Sequence, residues 1–122
     1  MEFALILPLI ALLLMGVVDV GRAFHHYIVV TNAAREGARR ASRWYPDDAD
    51  MVKAAVVQEA ANSGVELAES LNTVISVGGL NGTAGSPISV TVRYTYTTII
   101  GGLIGMKEFP MSSSTEMVIF GR

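Results

Sequence analysis

Residues 3–18 read FALILPLIALLLMGVV, a run without one charged or hydrogen-bonding side chain. As a helix these 16 residues measure about 24 Å. Asp19 and Arg22 close the run. Its length falls slightly under the roughly 20 residues of an ordinary membrane-spanning helix, within the tolerance that tilt and mismatch give. A cleaved signal peptide predicts a basic leading region and a small-residue cleavage site. Here the only charge before Phe3 is Glu2, of the wrong sign, and Asp19 follows without an A-x-A pattern. A run that is apolar on every face is also no plain core helix of a soluble domain. Pro8 lacks the amide that bonds back to Ala4, so a kink or loosening is expected around residues 4–8. Glu2 puts a carboxylate at the tip. At a membrane surface it sits among headgroups. In a bundle of packed helices it is dehydrated and needs a cation or a proton, the nearest cation being an N-terminal amine, its own or a neighbour's.

The helix pattern does not stop with the run. Between Asp19 and Trp44 only Gly21 and Gly37 weaken it, and Pro46 supplies the stop. At helical spacing Ala23, Tyr27, Val30, Ala38, Ala41 and Tyr45 fall within about 40° of Ala34. Arg22, His25, Asn32, Glu36, Arg39, Arg40 and Arg43 fall on the opposite side. An all-apolar helix is thus fused to an amphipathic one, about 60 Å long in total. A globule of this size is only about 30 Å across, so roughly half the helix must project. The amphipathic stripe is made of small residues, with Ala33, Gly37 and Ala41 repeating every four, which lets another backbone approach closely. Packing on the chain's own sheet is the favoured reading of this stripe over a seam between molecules. Residues 22–43 carry five arginines against one glutamate, whereas residues 47–69 carry six acids against Lys53. Pairing between those segments, within or between subunits, is individually weak.

The remainder reads as a small α+β head. Pro46-Asp47-Asp48-Ala49-Asp50 resembles a helix start with acids favouring the dipole. Val52, Val56 and Ala60 form its apolar stripe, flanked by Ala49 and Ala55, and Asn62-Ser63-Gly64 ends it. Glu66 to Leu71 is expected to add a helical turn. Thr73–Val77 reads as a strand closed by Gly78-Gly79, and a loop with an Asn81-Gly82 turn runs to Ser86. Ile88–Thr97 is the clearest strand: Ile88, Val90, Val92, Tyr94 and Tyr96 alternate strictly with polar residues, as in an antiparallel sheet covered on one face. Thr115–Phe120 is expected as a third strand. The connection over residues 97–111 is unusually apolar for a loop. Three roles stay open for it: capping the sheet, packing on the long helix, or an exposed contact patch. The expected division is a helix over 1–45, with 1–22 in a membrane or filament core and 23–45 amphipathic, and an α+β head over 46–122.

Composition closes off several function classes. The 122 residues suit one small domain. With 51% hydrophobic and 16% charged residues the chain is no disordered tail. A net charge of −2 makes the whole molecule no electrostatic trap for nucleic acid. The absence of cysteine removes disulfides, thiolate nucleophiles and cysteine metal sites. His25 and His26 are adjacent and so point about 100° apart on a helix, which is not chelating geometry. No nucleophile–base–acid set is supplied. Gly101-Gly102-Leu103-Ile104-Gly105 lacks the Lys-Ser/Thr of a phosphate loop, and Asp47, Asp48 and Asp50 lack the glycine and glutamate spacing of a calcium loop. No enzyme, cofactor or metal is expected. Asn81-Gly82-Thr83 is an N-x-T sequon, with Asn81 a possible glycosylation position, and Ser112 to Thr115 are hydroxyls open to O-linked sugar; an ordinary polar loop is the favoured reading of both.

Three segments carry a resemblance: Glu2-Phe3-Ala4-Leu5-Ile6-Leu7-Pro8, then Asp19-Val20-Gly21-Arg22, then Asn32-Ala33-Ala34-Arg35-Glu36-Gly37-Ala38-Arg39. Together they resemble the TadE-like pilins and pseudopilins of tight-adherence (Tad, Flp, type IVc) pilus systems. The resemblance covers about the first 40 residues; the strand Val90-Thr91-Val92-Arg93-Tyr94 is compatible with it. It implies a type IV pilin-like fold, inner-membrane insertion, removal of a basic leader by a prepilin peptidase, assembly machinery driven by a cytoplasmic ATPase, and an extracellular filament whose core is a bundle of N-terminal helices. Read as a processed N-terminus, residue 1 accounts for the missing basic flank, and lifts the conflict with the positive-inside rule that Arg22–Arg43 would otherwise raise. In type IV pilins an acid a few positions into the mature chain pairs with a neighbour's amine, and Glu2 is the counterpart here. The expected function is a structural subunit of a helical homo-oligomeric filament for adhesion or surface contact, assembling through Glu2, Phe3, Leu5, Leu7, Pro8, Leu9, Leu12 and Leu13, with no nucleic-acid partner. A minor pseudopilin and a single-pass membrane-anchored binding module are the alternatives.

Overall fold

The chain is described by a computed structural model over residues 2–43, 49–67, 72–79, 83–98, 105 and 108–120. Its elements run α1 (Glu2–Arg43), α2 (Ala49–Asn62), β1 (Thr73–Gly78), β2 (Pro87–Thr97) and β3 (Glu108–Val118). The strands form one antiparallel sheet in the order β1-β2-β3, and both helices pack on it, an α+β arrangement.

The 42 residues of α1 span about 63 Å. The loosening expected near Pro8 does not interrupt the helix. Proline removes a single backbone donor, and the bonds on either side carry the helix past it. From Val29 onward α1 buries Val29, Val30, Ala33, Ala34, Gly37, Ala38 and Ala41 against α2, β2 and β3. The small stripe therefore packs on the chain's own head, as favoured above. Gly37 shows why it is small: a Cβ there would come within 2.5 Å of Val56 Cγ2. The stripe is rotated from the expected one, because Tyr27 stays 45% exposed while Val29 is buried. Close approach of α2 at Gly37 turns that side of α1 inward.

Val52, Ala55, Val56 and Ala60 are the buried face of α2. Its end is a Schellman motif: Gly64 has φ 83°, its N–H donates to Ala61 O at 3.0 Å, and the Val65 N–H donates to Ala60 O at 3.0 Å. The motif reverses the chain so that Val65 and Leu67 enter the core. Glu66 and Leu67 are consequently not helical, contrary to expectation; residues 68–71 lie outside the described residues, as do Asp47, Asp48 and Tyr45.

Strand β2 organises the sheet. Ile88, Val90, Val92, Tyr94 and Tyr96 are all buried, facing the helices. β3 corrects the expected strand: it begins at Glu108, not Thr115, and takes in Ser112–Ser114, which the composition assigned to a loop. The partner overrides local propensity, since eleven residues of β2 pair with eleven of β3. Thr91 and Ser114 hydroxyls meet at 3.0 Å across the ladder. Pro110 is tolerated for a geometric reason. It lies opposite Thr95, whose N–H donates to Asn72 on the β1 side. Pro110 thus occupies a non-hydrogen-bonded site on an edge strand, where its missing N–H costs no ladder bond. Of the apolar connection, residues 108–111 are strand, and most of residues 99–107, Gly101 and Gly102 included, lie outside the described residues, as do Asn81 and Gly82.

Candidate assembly surface on the N-terminal helix

Residues 2–22 of α1 extend about 32 Å by themselves, and nearly all are exposed. Phe3 is 87% exposed, Leu5 81% and Leu7 71%; Leu9, Leu12 and Leu13 are likewise exposed, and so are Glu2 and Pro8. These eight positions are the ones the sequence proposed for assembly, and the fold leaves all of them on a single projecting rod. α1 is long and apolar enough to cross a membrane, and its most apolar window is almost wholly unburied within the chain. A core helix of a soluble domain passes the same length test only by being covered. Among the described residues nothing covers this apolar surface.

The junction with the head is polar. Asp19, which ends the apolar run, is buried. Asp19, Ala23, His26 and Val30 recur at helical spacing along the side of α1 that meets the head. His26 Nδ1 lies 3.1 Å from the Tyr94 hydroxyl, and its ring meets the Tyr94 and Tyr96 rings at centroid distances of 5.6 and 5.0 Å. Burial holds the His26 imidazole below its ordinary pKa, helped by the nearby positive charges of His25 and Arg22. Burial also raises the Tyr94 phenol, with Tyr96 adding to the shift. The neutral imidazole is thus the form this niche favours, accepting from or donating to Tyr94 according to its tautomer. His25 is exposed and its ring meets His26 edge-on at 6.1 Å. Nothing in the sequence pattern singled out His26 as the pin between helix and sheet; its helical spacing from Ala23 and Val30 was the available signal.

The arginine face of α1 is held mainly by its own glutamate. Glu36 accepts from Arg39 Nε and Nη2, both at 2.9 Å, and from Arg40 Nε at 3.4 Å. These bonds hold the Glu36 carboxyl below its usual range. The ion pairs of Glu36 with Arg39 and Arg40 lie within α1, and the charge of Glu59 on α2 also acts on Arg39.

Among the described residues no three His, Asp or Glu side chains gather as a metal group. An open depression of about 380 Å³ lies where β1 begins beside β2 and β3, with Arg93 the one charged residue among the described lining residues. One guanidinium supplies no acid–base pair.

No curated protein and no solved structure matches the chain. Residues 1–39, a stretch that takes in the apolar half of α1 and most of its amphipathic half, match the family model described as TadE-like protein, and to that extent the chain is similar to this family.

Proposed function

We propose that the chain is a structural pilin of a Tad-like, type IV pilus filament, held in the inner membrane by α1 and then assembled outside the cell for adhesion or surface contact. The observation that carries this reading is the uncovered apolar rod of residues 3–18 ahead of a folded head. Burying some 16 such side chains at roughly 1.5–3 kcal/mol each is worth tens of kcal/mol in water. A free soluble monomer is therefore excluded on energetic grounds, and a polymer outside the membrane resists dissociation. Transfer out of lipid gains much less, because lipid is already apolar, so growth needs the energy source that pilus machinery supplies. A prepilin peptidase and the assembly machinery are the partners this reading requires; nucleic acid is not one, and no catalytic step is assigned. In the assembled bundle Glu2 meets a neighbour's cation, and the heads cover the outside.

The test is imaging and mass analysis of material sheared from the producing cells. Filaments containing this chain support the reading; filaments without it demote the chain to a minor pseudopilin. Detergent extraction as a monomer that forms no larger species after detergent removal favours the membrane-anchored module. For Glu2→Ala, membrane insertion is expected to survive and filament yield to fall; unchanged yield contradicts the pairing.

A further inference from the structure

We infer that the face of the sheet turned away from the helices carries a binding site, centred on Arg93, for an acidic sugar: a carboxylate-bearing pyranose unit of a surface polysaccharide. The inference rests on the surface-contact reading above for its role, and it names the class of ligand that the head takes.

The site follows from the register. Val74, Arg93 and Ser112 stand side by side across β1, β2 and β3. Two residues along, Thr95 pairs with Pro110, and the Thr95 N–H donates to Asn72 O at 2.9 Å. These six residues alternate with Thr73, Tyr94 and Met111, which are buried toward the helices. The six therefore point to the other face. There they line the open depression of about 380 Å³. That volume lies within the roughly 300–1,000 Å³ of small-ligand clefts.

The chemistry suits an anion that also carries hydroxyls. Arg93 is exposed, and among the described residues it has no ion pair, unlike Arg39 and Arg40. Its neighbours on this face are Thr91 and Thr95 along the strand and Val74 and Ser112 across it, all uncharged. Among the described strand residues, the acids on this face are Glu108 and Glu116. Each lies four residues from Ser112 along β3, about 13 Å away. A guanidinium left uncompensated offers its planar fork to a carboxylate. The Thr95 and Ser112 hydroxyls both donate and accept, as sugar hydroxyls require. Val74, 57% exposed, and exposed Pro110 give an apolar wall for the C–H side of a sugar ring.

Other anionic partners fit less well. Nucleic acid calls for a row of cations, and Arg93 is the one charged residue among the described lining residues. The bilayer that holds the apolar rod lies beyond one end of the head, whereas this face looks sideways, away from α1. One open site with one charged anchor binds weakly. Repetition along a filament raises avidity by about 10²–10⁴ without a new contact.

The probe is trigalacturonate, with its methyl ester as the uncharged twin. The full chain in non-ionic detergent is titrated and followed by amide NMR. Expected are saturable shifts at the Val74, Thr95 and Ser112 amides with the acid and none with the ester. Arg93→Gln, at an exposed position, is expected to weaken binding about tenfold or more with thermal unfolding unchanged. Should that variant fold poorly, Ser112→Asp, which sets a like charge beside the ligand, is expected to give the same loss. In parallel, filaments sheared from the producing cells are passed over polygalacturonate beads. Retention of the natural filaments and release of equally abundant Arg93→Gln filaments support the site. The inference is overturned by the absence of saturable shifts at these amides, or by an equal response to the ester, to inorganic sulfate or to triglutamate. Filaments that contain the chain and ignore the beads also overturn it, while the filament reading stands. Saturable shifts at the site, with no filament containing the chain, uphold the site and remove the filament reading.

Discussion

The two halves of α1 use one helix for opposite ends. Residues 2–22 are large and apolar, and they contribute almost nothing to the head's interior. Residues 23–43 put Ala33, Ala34, Gly37, Ala38 and Ala41 into the core while their outer face carries arginine. Side-chain size explains the division better than hydrophobicity does. Small residues let α2 and the sheet come close, so the upper half is consumed in folding. Leucine and phenylalanine on all faces cannot be satisfied by one partner on one side, so the lower half is left for lipid or other subunits. His26, seated between Tyr94 and Tyr96, marks the boundary.

The sharpest way to break this comparison is a matched pair of truncations. Ile88 is fully buried in the core, and Ile88→Ala is expected to cost the head about 2–5 kcal/mol in denaturant unfolding. Leu9→Ala is expected to leave that unfolding curve unchanged and to act on membrane retention or filament yield alone. Equal effects on head stability would erase the distinction between the halves.

Gly37→Ala probes the upper half at its tightest point. The added methyl meets the fully buried Val56, and overpacking of about 1–3 kcal/mol outweighs the roughly 1 kcal/mol that alanine gains over glycine in a helix. A stabilised Gly37→Ala head would show that the helix interface is looser than described. The same substitution at Gly21, where nothing lies within 4 Å, is expected to leave the head unchanged or slightly firmer.

The boundary itself is expected to respond to acid. His26 titrates below its ordinary pKa in the folded chain, so the unfolded chain binds the proton first as pH falls. Its contribution is complete above about pH 6.5 and is lost as pH drops through the lower folded value. Thermal unfolding between about pH 7 and 5 checks this, with His26→Gln expected to flatten the part of the slope that belongs to this residue. Tyr94→Phe removes the hydroxyl partner and is expected to cost about 1 kcal/mol. The smallest effect belongs to the exposed arginine face. Glu36→Gln loses the ion pairs with Arg39 and Arg40, and the slight destabilisation should vanish in high salt.

Much of this division was legible in the residues. The run from Phe3 to Val18, the alternation from Ile88 to Tyr96 and the Asn62-Ser63-Gly64 stop each combine one local rule with one strong signal, and each is present where expected. The exposure of the eight positions proposed for assembly was legible for the same reason, since an apolar run without polar interruption needs no tertiary information to be seen as uncoverable. β3 was not legible beyond its last residues. Pro110 and Ser112–Ser114 have poor strand propensity, and only pairing with β2 makes them strand.

The amino-acid pattern alone determined that a long helix would outrun its own head, because helical rise and domain diameter are set by backbone geometry and chain length. It also determined the α+β class and the one buried face of β2, because periodicity is a local property. Tertiary structure decided the rotation of α1 on the sheet, the burial of Asp19, the seat of His26 against Tyr94 and Tyr96, and the extent of β3. Those depend on which distant residues arrive opposite, and contact between residues remote in the chain leaves no periodic trace along it.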